Sequence, residues 1–149
     1  MKRNQDLDIT LTDSIDTDEH YTLYAQYIEA RHSDGDMYPA TREQFLSFLG
    51  AGAPSTQFFE MREGKRLVGC FLSDQLLNGP SAIYTYFDPE MEFRSLGRFA
   101  ILKQIQLAQE TQRPYLYLGY WIKHCAKMAY KGEYRPLELL INNEWLRLN

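Results

Sequence analysis

The sequence predicts an α+β domain in which a mixed central sheet is flanked by helices. Three observations carry this expectation. The segments follow one another in the order β-α-α-β-β-β-α-β-α-β. Short stretches alternate apolar and polar residues, whereas residues 95–111 repeat at helical spacing. Finally, Pro114-Tyr115-Leu116-Tyr117-Leu118-Gly119-Tyr120-Trp121-Ile122 alternates aromatic and aliphatic residues without a charge, the pattern of a strand buried on both faces.

Taken in order, Leu7, Ile9 and Leu11 alternate with Asp8 and Thr10, a half-buried strand. Asp16 or Thr17 caps a helix whose Tyr21, Tyr24, Tyr27, Ile28 and Arg31 share one face. His32 to Met37 ends it in a loop. Thr41, with Gln44 three residues on, opens a short helix through Phe45, Phe48 and Leu49 as a capping box would. Gly50 to Pro54 is a turn cluster. Gln57 to Arg62 and Leu67 to Asp74 are strands about the turn Glu63-Gly64-Lys65, and Leu77-Asn78-Gly79-Pro80 turns into a third, Ser81 to Phe87. Asp88-Pro89 breaks the pattern. A helix from Ser95 to Thr111 turns Leu96, Phe99, Ala100, Leu102, Ile105, Leu107 and Ala108 inward. The strand 114–120 follows, then a short helix near 122–130 and a last strand near 134–141. Gly119 removes a side chain where a turn or a ligand requires close backbone approach.

The 149 residues suffice for one domain with a proper core. Hydrophobic residues make up 44% and charged residues 24%, as in ordinary globular chains. Eleven tyrosines lift the aromatic share to 14%, and tyrosine suits both cores and polar pockets. No apolar run reaches the length of a membrane span and no signal-peptide pattern opens the chain, so a cytoplasmic protein without a membrane partner is expected. Cys70 and Cys125 have no metal-ligand spacing, and His20, His32 and His124 are scattered, so no metal is expected. A net charge of −4 excludes an overall basic nucleic-acid binder. The sign is uneven, however. Residues 6–19 carry Asp6, Asp8, Asp13, Asp16, Asp18 and Glu19 without a cation, whereas Lys123, Lys127, Lys131 and Arg135 stand four apart with Glu133 as the one acid among them. Such a row suits an anionic ligand.

The element order is that of the GNAT acyltransferase fold. There a strand feeds a loop whose amides, at a helix N-terminus, receive a pyrophosphate. The corresponding stretch runs from Asp88 to Arg94-Ser95-Leu96-Gly97-Arg98. Its motif, Arg-x-x-Gly-x-Phe, ends in a bulky Phe99, which argues against coenzyme A and for another phosphate-bearing donor.

Gly119-Tyr120-Trp121-Ile122, Lys127-Met128-Ala129-Tyr130-Lys131 and Arg135-Pro136-Leu137-Glu138 resemble the signature block of the bacterial aspartate/glutamate leucyltransferases, relatives of the arginyl-tRNA–protein transferases. Arg31-His32 with Gly35 and Met37, Tyr84 to Pro89, Ser95-Leu96-Gly97, and Lys2-Arg3-Asn4 with Asp6-Leu7 are similar to further family motifs. Family members carry a half rich in Cys-x-x-Cys spacing upstream of this region. Residues 1–149 therefore look like the C-terminal GNAT-like catalytic domain alone.

The resemblance implies transfer of leucine, with arginine as the other possible donor, from aminoacyl-tRNA to the N-terminal Asp or Glu of a protein, marking it for N-degron degradation. No cofactor is implied. An α-amine with a pKa of about 7.7–8.0 is already about one-tenth deprotonated at neutral pH. Positioning and oxyanion stabilisation then account for most of the acceleration. On this reading Asp88 accepts the proton, and Tyr117 and Tyr120 offer hydroxyls to the ester or ribose. Arg94 and Arg135 meet the acceptor's carboxylate, Ser95, Gly97 and Arg98 meet the donor's phosphates, and Lys127 and Lys131 meet the tRNA end or a carboxylate. Two other readings stay open: a fragment that reads acidic N-termini without turnover, and an acetyl-CoA-dependent N-acetyltransferase.

Overall fold

The computed structural model describes residues 2–122 and 124–148, with the backbone alone for Ala126. The chain divides into two compact units, Met1–Tyr117 and Leu118–Asn149.

The first unit is an antiparallel sheet of four strands in the order β1 (Leu7–Thr12), β2 (Thr56–Glu63), β3 (Arg66–Leu76) and β4 (Gly79–Phe87). Helices α1 (Asp18–His32) and α2 (Arg42–Phe45) lie between β1 and β2 in sequence, and α3 (Leu96–Glu110) follows β4. The caps are those read from the sequence. Thr17 accepts from the His20 N–H and Thr41 from the Gln44 N–H, each at 3.2 Å. Beyond α2 the chain continues as a π-helical turn, Leu46–Gly50. Between β2 and β3, Gly64 takes φ +59°, the left-handed conformation that a tight turn demands.

Alternate residues of the strands divide between two hydrophobic clusters, as a period of two requires. Phe59, Met61 and Phe87 join Leu96, Phe99 and Ala100 of α3. Tyr86, with Phe58 and Tyr84 at its margin, joins Leu23, Tyr24 and Ile28 of α1 and Phe45 of α2. The strand buried on both faces is β3, whose residues 67–73 are all buried. On α3, Ile101 and Gln104 are buried as well, while Leu102, Ile105 and Leu107 are only half-buried.

Residues 114–120, expected as the buried strand, do not form one. A single parallel bridge joins Ser81 to Tyr117. Tyr115 and Tyr117 donate their N–H groups to Asn78 O and Pro80 O at 3.2 and 2.9 Å, and the Ala82 N–H returns to Tyr117 O at 2.8 Å. Pro114 has no N–H to extend the ladder, and Gly119 at φ +72° turns the backbone out of extended geometry. Tyr115 and Tyr120 are 44% and 88% exposed, so the alternation signals rings that face solvent as well as rings that pack. The break after β4 is a 3-10 helix, Pro89–Arg94.

In the second unit, α4 spans only Ala126–Ala129 and passes into a 3-10 turn, Tyr130–Glu133. The last strand begins later than expected, as β5 (Leu137–Ile141), and pairs antiparallel with an unanticipated β6 (Glu144–Leu148). Tyr134 is already extended at φ −76° and ψ 145°, so the four-residue spacing from Lys127 to Arg135 does not run along one helix face. Lys123, the first member of that row, lies outside the described residues.

Candidate active site

The C-terminal end of β4 and the start of α3 gather charged and polar side chains in the first unit. Asp88 ends β4. It is buried at 6% exposure, and both carboxylate oxygens are engaged. Oδ1 accepts from the Glu90 N–H at 2.9 Å, capping the 3-10 helix, and Oδ2 pairs with Arg66. Each oxygen keeps a further lone pair, so a role in proton transfer requires the donor to reach a carboxylate that is 6% exposed.

Arg94 ends the same 3-10 helix. Its guanidinium grips Asp6 bidentately at 3.0 and 2.8 Å and Glu63 at 2.8 Å, with the side chain 12% exposed. The hydrogen bond from Arg94 holds the Asp6 carboxyl below its ordinary range, and the same bond raises the guanidinium. Arg94 thus fastens the loop to β1 and β2, which leaves it poorly placed for a substrate carboxylate. Asn4 adds to the clamp by donating to Arg94 O at 3.1 Å.

Ser95 stands at φ 53° and ψ 49° as the N-cap of α3, and its side chain caps nothing. The first turn of α3 accordingly offers amides to an incoming anion. Lys2, Arg3, Asn4, Arg94, Ser95, Arg98, Phe99 and Leu102 line a cleft of about 400 Å³ beside it. Arg3 is held there by a bond from its guanidinium to Phe93 O at 2.5 Å. A methyl group on Gly97 would stand 3.5 Å from the Phe87 ring, so the turn packs directly on the end of β4. Phe99 is 3% exposed and belongs to the core, so most of its bulk is taken up by packing. The size argument against coenzyme A therefore does not carry over to the folded chain.

Tyr117 lies in the first unit at its bridge to Ser81. The other expected residues lie in the second unit. The Tyr120 ring is exposed, and its carbonyl accepts from Lys131 Nζ at 2.8 Å. Burial depresses the Lys131 ammonium below its ordinary range. Arg135 donates to Gly132 O and Tyr134 O, both at 2.7 Å, and Lys127 is exposed on α4. Trp121 brings its indole nitrogen against Gly132, and this buried N–H has no partner among the described residues.

One polar assembly escaped the sequence reading. His20, 1% exposed, meets the Tyr86 hydroxyl through Nδ1 at 2.7 Å and Glu60 through Nε2 at 2.9 Å. Arg62 bridges Glu60 at 2.6 Å and Glu19 at 2.9 Å. Hydrogen bonds from Arg62 hold both carboxyls low, while burial drives the Tyr86 phenol up and the Cys70 thiol up to about 12. The available signal was positional: His20 follows the cap of α1 by three residues, and its partners come from strands 40 and 66 residues away. Among the described residues no group of His, Cys, Asp and Glu could hold a metal ion.

Residues 19–141 match the model of the arginine-tRNA–protein transferase C terminus. The chain belongs to this family. Its relatives include the aspartate/glutamate leucyltransferases of Saccharophagus degradans and of Pseudomonas syringae pv. tomato. The first is 55% identical over 98% of this chain and 62% of the relative; the second is 49% identical over 99% and 63%. The chain thus spans somewhat under two thirds of the length of these family members. The ribosomal-protein-S18-alanine N-acetyltransferase of Escherichia coli superposes with a TM-score of 0.62 at 14% identity, over 85% of this chain and 75% of that one. That likeness establishes the GNAT-like fold.

Proposed function

We propose that this chain is the catalytic domain of an aminoacyl-tRNA–protein transferase, moving leucine from charged tRNA to the N-terminal Asp or Glu of proteins and so marking them for degradation in the cytoplasm. The observation that carries this reading is family membership across residues 19–141, together with relatives named aspartate/glutamate leucyltransferase. The cationic cleft at the uncapped start of α3 supports it: an exposed Arg98, with Lys2 and Arg3, suits the phosphates of an RNA end.

In this reaction the acceptor amine attacks the aminoacyl ester carbonyl. The C–N bond forms, the C–O bond to the ribose breaks, and the amine's proton passes through a base to the departing ribose oxygen. Asp88 is the proposed proton acceptor, at the end of β4 beside the 3-10 helix. Ser95 and the amides at Gly97 and Arg98 are the proposed seat of donor phosphate, and Arg94 holds that loop in place. Tyr117 and Tyr120 are proposed hydroxyl donors. Lys127, Lys131 and Arg135 are proposed contacts of the second unit with tRNA.

The test is transfer to a peptide beginning with Asp, read by mass spectrometry, with Leu-tRNA, Arg-tRNA and acetyl-CoA as alternative donors. Slow modification from Leu-tRNA by this chain, and none on a peptide beginning with Asn, is expected. Acetylation from acetyl-CoA would overturn the assignment, and Arg-tRNA as the sole donor would correct its aminoacyl group.

A further inference from the structure

An acidic acceptor needs a cation, and Arg94, the residue the sequence suggested, is committed to Asp6 and Glu63. Another arginine has the required surroundings. Arg31 closes the last turn of α1 with its guanidinium carbon 5.4 Å from the centre of the Phe87 ring. A methyl group on Gly97, in the first turn of α3, would stand 3.5 Å from that same ring. Arg31 is therefore one ring away from the helix start at which the donor is proposed to sit, and Phe87 is the residue before Asp88.

The chemistry of the spot suits a carboxylate. A guanidinium held over an aromatic ring can still offer N–H groups to a carboxylate in two parallel hydrogen bonds. The Arg31 side chain is 40% exposed, and its carboxylate partner, Glu92 of the 3-10 helix, stands at 3.4 Å with 76% exposure. That is a loose surface contact, which an incoming carboxylate can replace. Glu92 thus marks where a substrate carboxylate would lie. The wall beside it is aromatic: the Tyr27 ring centre is 5.0 Å from that of Phe87, 5.5 Å from that of His32 and 6.4 Å from that of Tyr84. Such a wall bounds the pair on its apolar side, while the exposed side admits the incoming carboxylate.

We propose that Arg31, held over the Phe87 ring, is the specificity-determining cation that receives the side-chain carboxylate of the acceptor's first residue, displacing Glu92. The inference rests on the proposed transferase reading, because it presumes an acidic N-terminus as acceptor.

Peptide binding to the full chain, measured by titration calorimetry, tests it without needing turnover. Peptides beginning with Asp and with Asn are compared on wild type, Arg31→Gln and Arg31→Lys. Wild type should prefer Asp. Arg31→Gln should weaken the Asp peptide about 10- to 100-fold while leaving the Asn peptide nearly unchanged. Arg31→Lys should fall between, because it keeps the charge but loses the planar fork. A wild-type preference that survives in Arg31→Gln would overturn the role of Arg31 and leave the transferase reading standing. So would equal weakening of both peptides, which marks a packing role. No preference in wild type would overturn both. Should Arg31→Gln fail to fold, an Asp preference in Arg31→Lys equal to that of wild type would overturn the proposal.

Discussion

Arg62 holds two carboxylates at once, Glu60 and Glu19, and both have pKa values below the ordinary 4.5. Depressed folded values mean that the unfolded chain takes up protons first as the solution is acidified. The stabilisation is fully present above about 4.5 and is lost as pH falls through the folded values. Arg62→Met should therefore flatten the acid limb of the stability profile, read from urea midpoints at pH values from about 7 to 3. An unchanged acid slope in the variant would assign acid sensitivity to other carboxylates. Asp88 calls for a kinetic separation. In an active context Asp88→Asn should lower kcat by about two to four orders of magnitude with little change in KM, as loss of a general base does. Turnover within a few-fold of wild type, with a lowered Tm, would reduce Asp88 to the cap and the Arg66 partner seen at the end of β4.

At the scale of elements, the docking of residues 115–117 beside β4 depends on Gly79. A methyl group there would come within 1.9 Å of Tyr115 O, a backbone atom that cannot rotate away. Gly79→Ala should detach the segment and expose the amides of Ala82 and Tyr117 to hydrogen exchange, while the amides of β2 and β3 stay protected. Retained protection at Ala82 and Tyr117 would contradict this. The same region marks how far the sequence was legible. The caps at Thr17 and Thr41, the Gly64 turn and the three strands of the meander announced themselves through local chemistry, which a linear reading captures. The segment 114–120 misled because alternating aromatics look alike whether they are buried or exposed, and Pro114 and Gly119 decided the matter. Of the C-terminal hairpin, β5 was anticipated and β6 was not, because its turn, Asn142-Asn143 at φ 51° and 64°, carries no glycine to announce it. Among site residues, Asp88 and Ser95 to Arg98 fell where expected, at the strand end and the helix start. The commitment of Arg94 was not legible, since it depends on β1 and β2 bringing Asp6 and Glu63 to it across long separations.

The first unit carries its own two-sided core. Donor binding is a different demand. A tRNA is gripped mostly through phosphates along its length. The cleft of Lys2, Arg3 and Arg98 offers only a few such contacts, and residues 6–19 carry six acids and no Lys or Arg. The chain by itself should therefore bind charged tRNA weakly, with an affinity that falls steeply with salt, and should transfer leucine poorly. The most direct measurement joins this chain to the upstream segment of the Saccharophagus degradans relative, to which it is 55% identical. Leucyl transfer to a peptide beginning with Asp is then compared among the chain, the chimera and the intact relative. The account predicts a chimera that approaches the relative and exceeds the chain alone by at least tenfold, about the effect of one further charge-assisted contact. A folded chimera that transfers no leucine while the relative does would contradict the assignment of the catalytic site to this domain.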